Sequence, residues 1–367
     1  MRNNRVLSVK TIAARIGIVI GVTVLFLVIT LLSVLMIINY GPSQRAHNLF
    51  VKSVRETSAI GFLANWFTTD EELERILKGN TIEDIEEITD VTLIHIPTPA
   101  PEGPTVPPEP VRIVEYLENG EEKVVVRASD GRTYDHLVSD EDGIIICEVF
   151  GSTYRGHMMI ILDPARVFVG VCKNVGNRNA GGQKVSQIME RYNAVAATNA
   201  GGFDDPNGQG SGTIPLGFVY SEGKCVYSGG TDLLIGFDKN NILVVGEMST
   251  AKADQLGIRD AVTFRPALIV NGQPAKISGT GGGLNPRTAI GQRADGAVLL
   301  LCIDGRQANS LGATYADLIE IFLDFGAVNA ANLDGGSSAL MMYKGKDVSS
   351  RSNLISDRYL PTTILVR

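Results

Sequence analysis

The longest unbroken apolar stretch runs from Ile16 to Ile38, with no charged residue and mostly Val, Leu and Ile. At 1.5 Å rise per residue, a helix over those 23 positions covers roughly the 30 Å hydrocarbon core of a bilayer. Arg2, Arg5, Lys10 and Arg15 precede it, and no acid does. The positive-inside rule therefore predicts a cytoplasmic basic tail over 1–15, a transmembrane anchor over 16–38, and an extracytoplasmic remainder. A cleaved signal peptide is the rival reading. It calls for a shorter apolar core and a small-x-small cleavage site, which Asn39-Tyr40-Gly41-Pro42 matches poorly.

Beyond the anchor the pattern turns helical. Residues 43–96 read as a juxtamembrane region, with helix from Ala46 to Asn80. Thr69-Asp70-Glu71-Glu72 makes a good helix start, with acids in the first turn, and Leu73, Ile76 and Leu77 then share one face. Residues 97–110 contain seven prolines in fourteen positions, the composition of an extended, semi-rigid linker.

From Val111 to Arg367 the texture becomes short β-rich runs punctuated by glycine. Val124-Val-Val, Ile144-Ile-Ile, Met158 to Leu162 and Val167 to Val171 predict strands. Two helices interrupt them. Lys184 to Tyr192 places Val185, Ile188, Met189 and Tyr192 at helical spacing. Thr314 to Phe325 places Leu318, Ile319, Phe322 and Phe325 on one face, with Gly326 positioned as the C-terminal cap. The expected class is α+β: a mixed β-sheet core with a few packed helices, preceded by one N-terminal transmembrane helix.

Charge and cysteine usage narrow the partners. Removing the four N-terminal positive charges from the formal net of −7 leaves −11 on the rest, which argues against nucleic acid. Cys147, Cys172, Cys225 and Cys302 are widely spaced, with no C-x-x-C pattern. An outside location permits disulfides, but spacing does not pair these four. Cys302, inside Val298-Leu-Leu-Leu-Cys-Ile, reads as a small buried hydrophobe. His47, His95, His136 and His157 are scattered, no His/Cys/Asp group has metal-ligand spacing, and no cofactor is called for.

Candidate chemistry gathers where three apolar runs end. Ala194-Val-Ala-Ala-Thr reaches Asn199-Ala-Gly-Gly-Phe203, Val298 to Ile303 reaches Asp304-Gly-Arg306, and Val328 to Leu333 reaches Asp334-Gly-Gly-Ser-Ser338. Each puts a polar side chain at a strand end just before residues that turn sharply. Asp-Gly also forms ordinary turns, so any one alone is weak. Together, on neighbouring strands, Asn199, Asp304 and Asp334 would meet at one sheet edge, a frequent place for sites. Gly279-Thr-Gly-Gly-Gly-Leu-Asn-Pro-Arg287-Thr288 adds a glycine-rich loop leading into an arginine, which suits an anion. Ser337 has no histidine partner in sequence and there is no G-x-S-x-G elbow, so a serine hydrolase is disfavoured.

The ordered series Asn199-Ala-Gly-Gly-Phe203, Asn285-Pro-Arg-Thr-Ala-Ile-Gly291, Asp304-Gly-Arg306 and Asn332-Leu-Asp-Gly-Gly-Ser-Ser338 resembles the phosphodiester glycosidase family. The resemblance covers about 145 to 367, and the anchor and helical region resemble a membrane-bound bacterial branch often labelled exopolysaccharide-related. It implies hydrolysis of the bond between an anomeric carbon and a phosphate. On that basis Asp304 and Asp334 are the catalytic candidates, as nucleophile or as base to water. Arg287, Arg306 and the Gly335–Gly336 backbone would hold the phosphate, and Asn199 a sugar hydroxyl or N-acetyl group. Gly202, Thr288, Asn332 and Ser337 complete the expected substrate-binding set. The alanine at 200 and the loose Asp357-Arg358-Tyr-Leu-Pro-Thr-Thr ending depart from the family pattern. The expected substrate is an envelope or extracellular glycopolymer carrying a phosphodiester-linked sugar. The alternative is a noncatalytic protein that holds an anionic glycan or assists polysaccharide assembly, in which the arginines matter and the aspartates do not.

Overall fold

A computed structural model describes residues 9–57, 61–96, 114–116, 122–124, 126–127, 131, 133–206, 211–350 and 358–367. The proline-rich linker expected over 97–110 lies outside them, as do Arg2 and Arg5 of the basic tail.

The apolar stretch forms one helix, α1 (Val9–Tyr40), longer at both ends than the predicted span. Its segment Ile12–Tyr40 has a mean hydropathy of 3.0 in its most apolar window, and none of that window is buried against the protein. The helical region expected from Ala46 to Asn80 is broken, and a new helix begins at the start read at Thr69. The region becomes α2 (Gln44–Arg55), a 3-10 turn (Gly61–Trp66) and α3 (Asp70–Lys78). Ser43 and Thr69 cap α2 and α3 by accepting from the backbone N–H of Ala46 and Glu72. A second N-cap at Thr69, with acids behind it, starts a new helix rather than continuing an old one. Val51, Val54, Ala64, Leu73 and Ile76 close a small core of their own.

Two short ladders, β1 (Val114–Tyr116) with β2 (Glu122–Val124) and β3 (Val126–Arg127) with β4 (Thr133–Tyr134), stand apart from the main sheets. Then follow β5 (Leu137–Glu141), β6 (Ile144–Phe150), β7 (Arg155–Ile161), β8 (Val167–Val171), helix α4 (Val185–Arg191) and β9 (Ala196–Asn199). Next are β10 (Val219–Ser221), β11 (Lys224–Tyr227), β12 (Asp232–Asp238), β13 (Leu243–Met248), α5 (Thr250–Leu256), β14 (Ile258–Thr263), β15 (Ala267–Val270) and β16 (Gln273–Pro274). The chain closes with β17 (Arg287–Arg293), β18 (Val298–Ile303), α6 (Tyr315–Asp324), β19 (Ala327–Leu333), β20 (Met341–Tyr343), β21 (Lys346–Asp347) and β22 (Thr362–Val366).

The largest sheet runs β16-β15-β19-β17-β18-β7-β6-β5. Two five-stranded sheets, β21-β20-β9-β22-β8 and β11-β10-β14-β12-β13, complete the fold, and the ladders among the described residues are antiparallel. Alternation explains the layers. In β6 and β7, Ile144, Ile146, Met159 and Ile161 face a core shared with both smaller sheets, through residues such as Val169, Ile364, Ile235 and Val262. Ile145, Cys147, Met158 and Ile160 face the other way, onto Leu318, Phe322 and Phe325 of and just beyond α6. Helices α4 and α5 cover the outer faces of the smaller sheets. β18 is thus buried on both faces, which is why Val298 to Ile303 reads as an unbroken apolar run instead of an alternating one. Each fully buried Leu, Ile or Phe there contributes about 1.5–3 kcal/mol.

The glycine cap expected after α6 is present, and the structure adds a cap at its start. Thr314 makes a capping box with Asp317 at the start of α6, and Gly326 takes the left-handed conformation (φ 77°) after its end. All four cysteines are free, with Cys225 exposed and the other three buried. Burial pushes the thiols of Cys147 and Cys302 up to about 12, so neither is a nucleophile at neutral pH.

Residues 81–96, the last part of the expected juxtamembrane region, are not helical apart from one short 3-10 turn at Val91–Leu93. They run along the domain through Glu83 N–H to Lys276 carbonyl, Thr89 N–H to Val245 carbonyl and His95 N–H to Ala294 carbonyl.

Candidate active site

Register assembles the site. β17 lies between β18 and β19, antiparallel to both, pairing Arg287 with Ile303 and Thr288 with Leu333. The first residue of β17 and the last residues of its two neighbours therefore share one edge of the sheet. Asp304 follows β18 and Asp334 follows β19, so the two aspartates flank Arg287, with backbones two strand spacings, or roughly 10 Å, apart.

The glycine after each aspartate is set by close packing. A side chain at Gly305 would put its Cβ 2.7 Å from Pro286 N, and one at Gly335 would put it 2.7 Å from Pro286 O. Both turns close on the same Asn285–Pro286 segment, which is why the two Asp-Gly sequences read alike.

Two arginines, Arg306 and Arg358, reach the turn after β19, and a third, Arg287, lies on the neighbouring loop. Arg287, 7% exposed, donates from Nη2 to the Gly283 carbonyl (2.9 Å) and lies over the Tyr315 ring (4.1 Å). Arg306 adopts a left-handed backbone (φ 59°) and donates to Ser337 Oγ (3.1 Å) and Asn285 Oδ1 (3.4 Å). A non-glycine residue held there is a strain typical of functional turns. Desolvation and the neighbouring Arg287 lower its pKa, and a guanidinium under such pressure gains from an arriving anion. Arg358, whose role was uncertain in sequence, reaches Ser338 Oγ at 3.5 Å, pairs with Asp205 and lies over Phe203.

Burial pushes the Asp334 carboxyl up to about 6, against hydrogen bonds from the Ser338 side chain and the Gly335 backbone. Asp304 is also pushed up to about 6, by burial and then by the charge of Glu148, against donation from Ser350 N–H (2.8 Å). Its surroundings differ: it lines a cavity of about 420 Å³ with Glu148, Arg155, His157, Asn309 and Ser350.

Glu148 and His157 were not singled out from sequence. They pair across β6 and β7, and His157 pairs across to Cys302, two residues before Asp304. Burial holds His157 below the usual histidine range, so it is neutral near pH 7. Its Nδ1 is buried without a hydrogen-bond partner. The signal was there in phase: Glu148 and His157 occupy positions that alternation assigns to the core, beside Ile146 and Met159. A polar residue on an inward-facing phase marks a site more sharply than histidine spacing does.

The other expected substrate contacts are placed more deeply. Asn199, fully buried, donates to the Asp334 carbonyl and accepts from Thr288 Oγ1 (2.7 Å) and Leu340 N–H (3.1 Å). Its amide ties β9, β17 and the end of β19 together, and Thr288 is equally enclosed. Asn332 is buried, donating to the Arg265 carbonyl at 3.0 Å. Gly202 packs against Phe264. Ser337, Gly335 and Gly336 remain part-exposed on the turn. Among the described residues, no group of three or more His, Cys, Asp and Glu is arranged to hold a metal ion.

Residues 192–367 match the family model described as phosphodiester glycosidase. An uncharacterised SPbeta prophage-derived protein of Bacillus subtilis, YomE, is 32% identical over 189 residues, 49% of this chain and 29% of that protein. The chain thus spans under a third of the length of that relative. Among solved structures, the catalytic domain of zebrafish N-acetylglucosamine-1-phosphodiester alpha-N-acetylglucosaminidase, auto-inhibited by its pro-peptide, superposes with a TM-score of 0.51 at 23% identity. The match covers 67% of this chain and 87% of that one, and shows a shared fold. A Burkholderia pseudomallei protein matches at a TM-score of 0.44 and 19% identity over 58% of this chain and 74% of its own. The segment that carries Asn199, Arg287, Asp304, Arg306 and Asp334 is accordingly a domain of the phosphodiester glycosidase family.

Proposed function

We propose that this chain is a membrane-anchored hydrolase that cleaves the bond between a sugar anomeric carbon and phosphate in a sugar-1-phosphodiester. One observation carries the reading: two carboxyls, each held near pH 6, flank a strand whose first residue is a buried arginine. An ionised carboxylate on one side serves the developing positive charge at the anomeric carbon, or takes a proton from the attacking water. Arg287, Arg306 and the Gly335–Gly336 backbone take the negative charge that collects on the departing phosphate. That leaving group is weakly basic, so strong proton donation to it is unnecessary. The sugar occupies the cavity beside Asp304, where His157, Glu148 and Asn309 offer polar groups to its hydroxyls.

The anchor supports a location at the membrane with the domain outside, and an envelope or extracellular glycopolymer is the substrate class that fits this location. The zebrafish neighbour's name supports a sugar-1-phosphodiester as the bond. The test is release of free sugar from a chromogenic N-acetylglucosamine-1-phosphodiester by the full chain in detergent, beside a panel of other sugars. Binding of these compounds without release from any of them would favour the glycan-holding alternative.

A further inference from the structure

The N-terminal region reaches into the site. Glu56 sits at the C-terminal cap of α2, and its Oε2 accepts from three donors: Gly283 N–H (3.1 Å), Asn285 Nδ2 (2.9 Å) and Arg287 Nη2 (3.3 Å). A backbone N–H, an amide and a guanidinium converging on one oxygen form an oxyanion receptor, and a carboxylate is its present occupant.

The approach of α2 is close. A Cβ at Gly283 would stand 2.5 Å from Ser53 Cα, so only glycine lets the helix backbone lie against this loop. Leu284 N–H donates to Ser53 Oγ at 2.7 Å, while on the far side of the loop Asn80 Oδ1 accepts from Thr280 N–H (3.3 Å) and Oγ1 (3.2 Å). At the other end of α2, His47 Nδ1 is hydrogen-bonded with Asn39 of α1 (3.1 Å), and His47 Nε2 stands 3.7 Å from Glu72. A single helix thus joins the end of the apolar anchor to the Arg287 cradle.

We infer that the Gly283–Asn285–Arg287 cradle is a phosphate-recognition site and that Glu56 is its intramolecular occupant, so that α2 must lift before a phosphate group can bind. The inference rests on the hydrolase reading for the identity of the natural anion. A purely structural ion pair would fix α2 without competing with any ligand. Competition between Glu56 and phosphate separates the two.

The experiment uses the full chain in detergent and inorganic phosphate as the probe. Calorimetry should find phosphate binding at least about tenfold tighter to Glu56→Ala than to wild type, about 1.4 kcal/mol. Glu56→Gln, which keeps the shape but loses the charge facing Arg287, should fall between them. Equal affinity in all three, or no binding to Glu56→Ala, overturns the inference. A wild-type measurement covers the case in which the variants misfold: saturating phosphate should speed amide hydrogen exchange in residues 50–57. Unchanged exchange at saturation overturns the proposal. Neither readout needs turnover, so its failure is separate from that of the hydrolase reading. Equal sugar release by wild type and Glu56→Ala would sink the inference alone, and phosphate unmasking without any sugar release would sink the hydrolase alone.

Discussion

Asp304-Gly and Asp334-Gly look the same in sequence, follow adjacent-but-one strands, and both pack their glycine on Pro286. Burial raises both carboxyls to about 6. The neighbourhoods are nonetheless opposite in character. Asp334 opens a turn that meets Arg306 and Arg358 through Ser337 and Ser338. Asp304 faces a cavity shared with Glu148 and His157. The difference teaches that a strand-end motif fixes where a carboxylate stands, while the neighbouring strands fix what surrounds it: arginines and serines at one end, a cavity lined by Glu148, Arg155 and His157 at the other.

Replacing the carboxylates should give the largest effects. Asp334→Asn and Asp304→Asn should each lower kcat by about a hundredfold or more with the fold intact, by circular dichroism and melting temperature. Near-wild-type turnover in either would remove that end from the chemistry. Arg287→Lys comes next, at about 10–100-fold in kcat/KM, since a lysine cannot reproduce the planar fork or the stacking on Tyr315. An equal loss for phosphate-free glycoside analogues would contradict an anion-binding role. His157→Ala should cost about tenfold or less and act mainly on KM, because a sugar-side contact is removed without touching the charges. A change in kcat alone would move His157 out of the sugar pocket.

The pH response is the finest distinction. Both carboxyls have folded values above the ordinary 3.8, so the stability they contribute is complete below about pH 3.8 and lost as pH rises through about 6. Activity runs the other way: kcat/KM should rise through an acidic limb near pH 6 as an ionised carboxylate forms. Asp304→Asn should flatten part of the stability loss between those limits, measured by denaturant midpoint. A midpoint that falls between pH 4 and 6 as steeply as in wild type would show that Asp304 does not titrate there.

Much of this was legible in the chain. Val298 to Ile303 and Val328 to Leu333 announced buried strands, and the polar residues after them did meet at one edge. The α6 helix was readable down to its glycine cap, because a 3.6-residue apolar stripe and a glycine at its end are local signals. What could not be read locally was pairing. Nothing near Asp304 in sequence points to His157 or Glu148; the β7–β18 register brings them together. Asn199, expected at the sugar, is buried as a bracket between strands, a role set by Thr288 and Leu340 rather than by its own turn. In the helical region the start at Thr69 was legible, but the end of α2 and the 3-10 turn at Gly61–Trp66 were not. The meander of β10 to β14 passed unannounced, its strands being short and its turns unremarkable.

The central claim is that this edge cleaves a sugar–phosphate bond using a carboxylate. It is tested most directly by incubating the full chain with a panel of chromogenic sugar-1-phosphodiesters, N-acetylglucosamine first, beside Asp334→Asn. The account predicts release of free sugar by the wild type and a loss of about a hundredfold or more in the variant. Equal release from both, or binding without release across the panel, would contradict it.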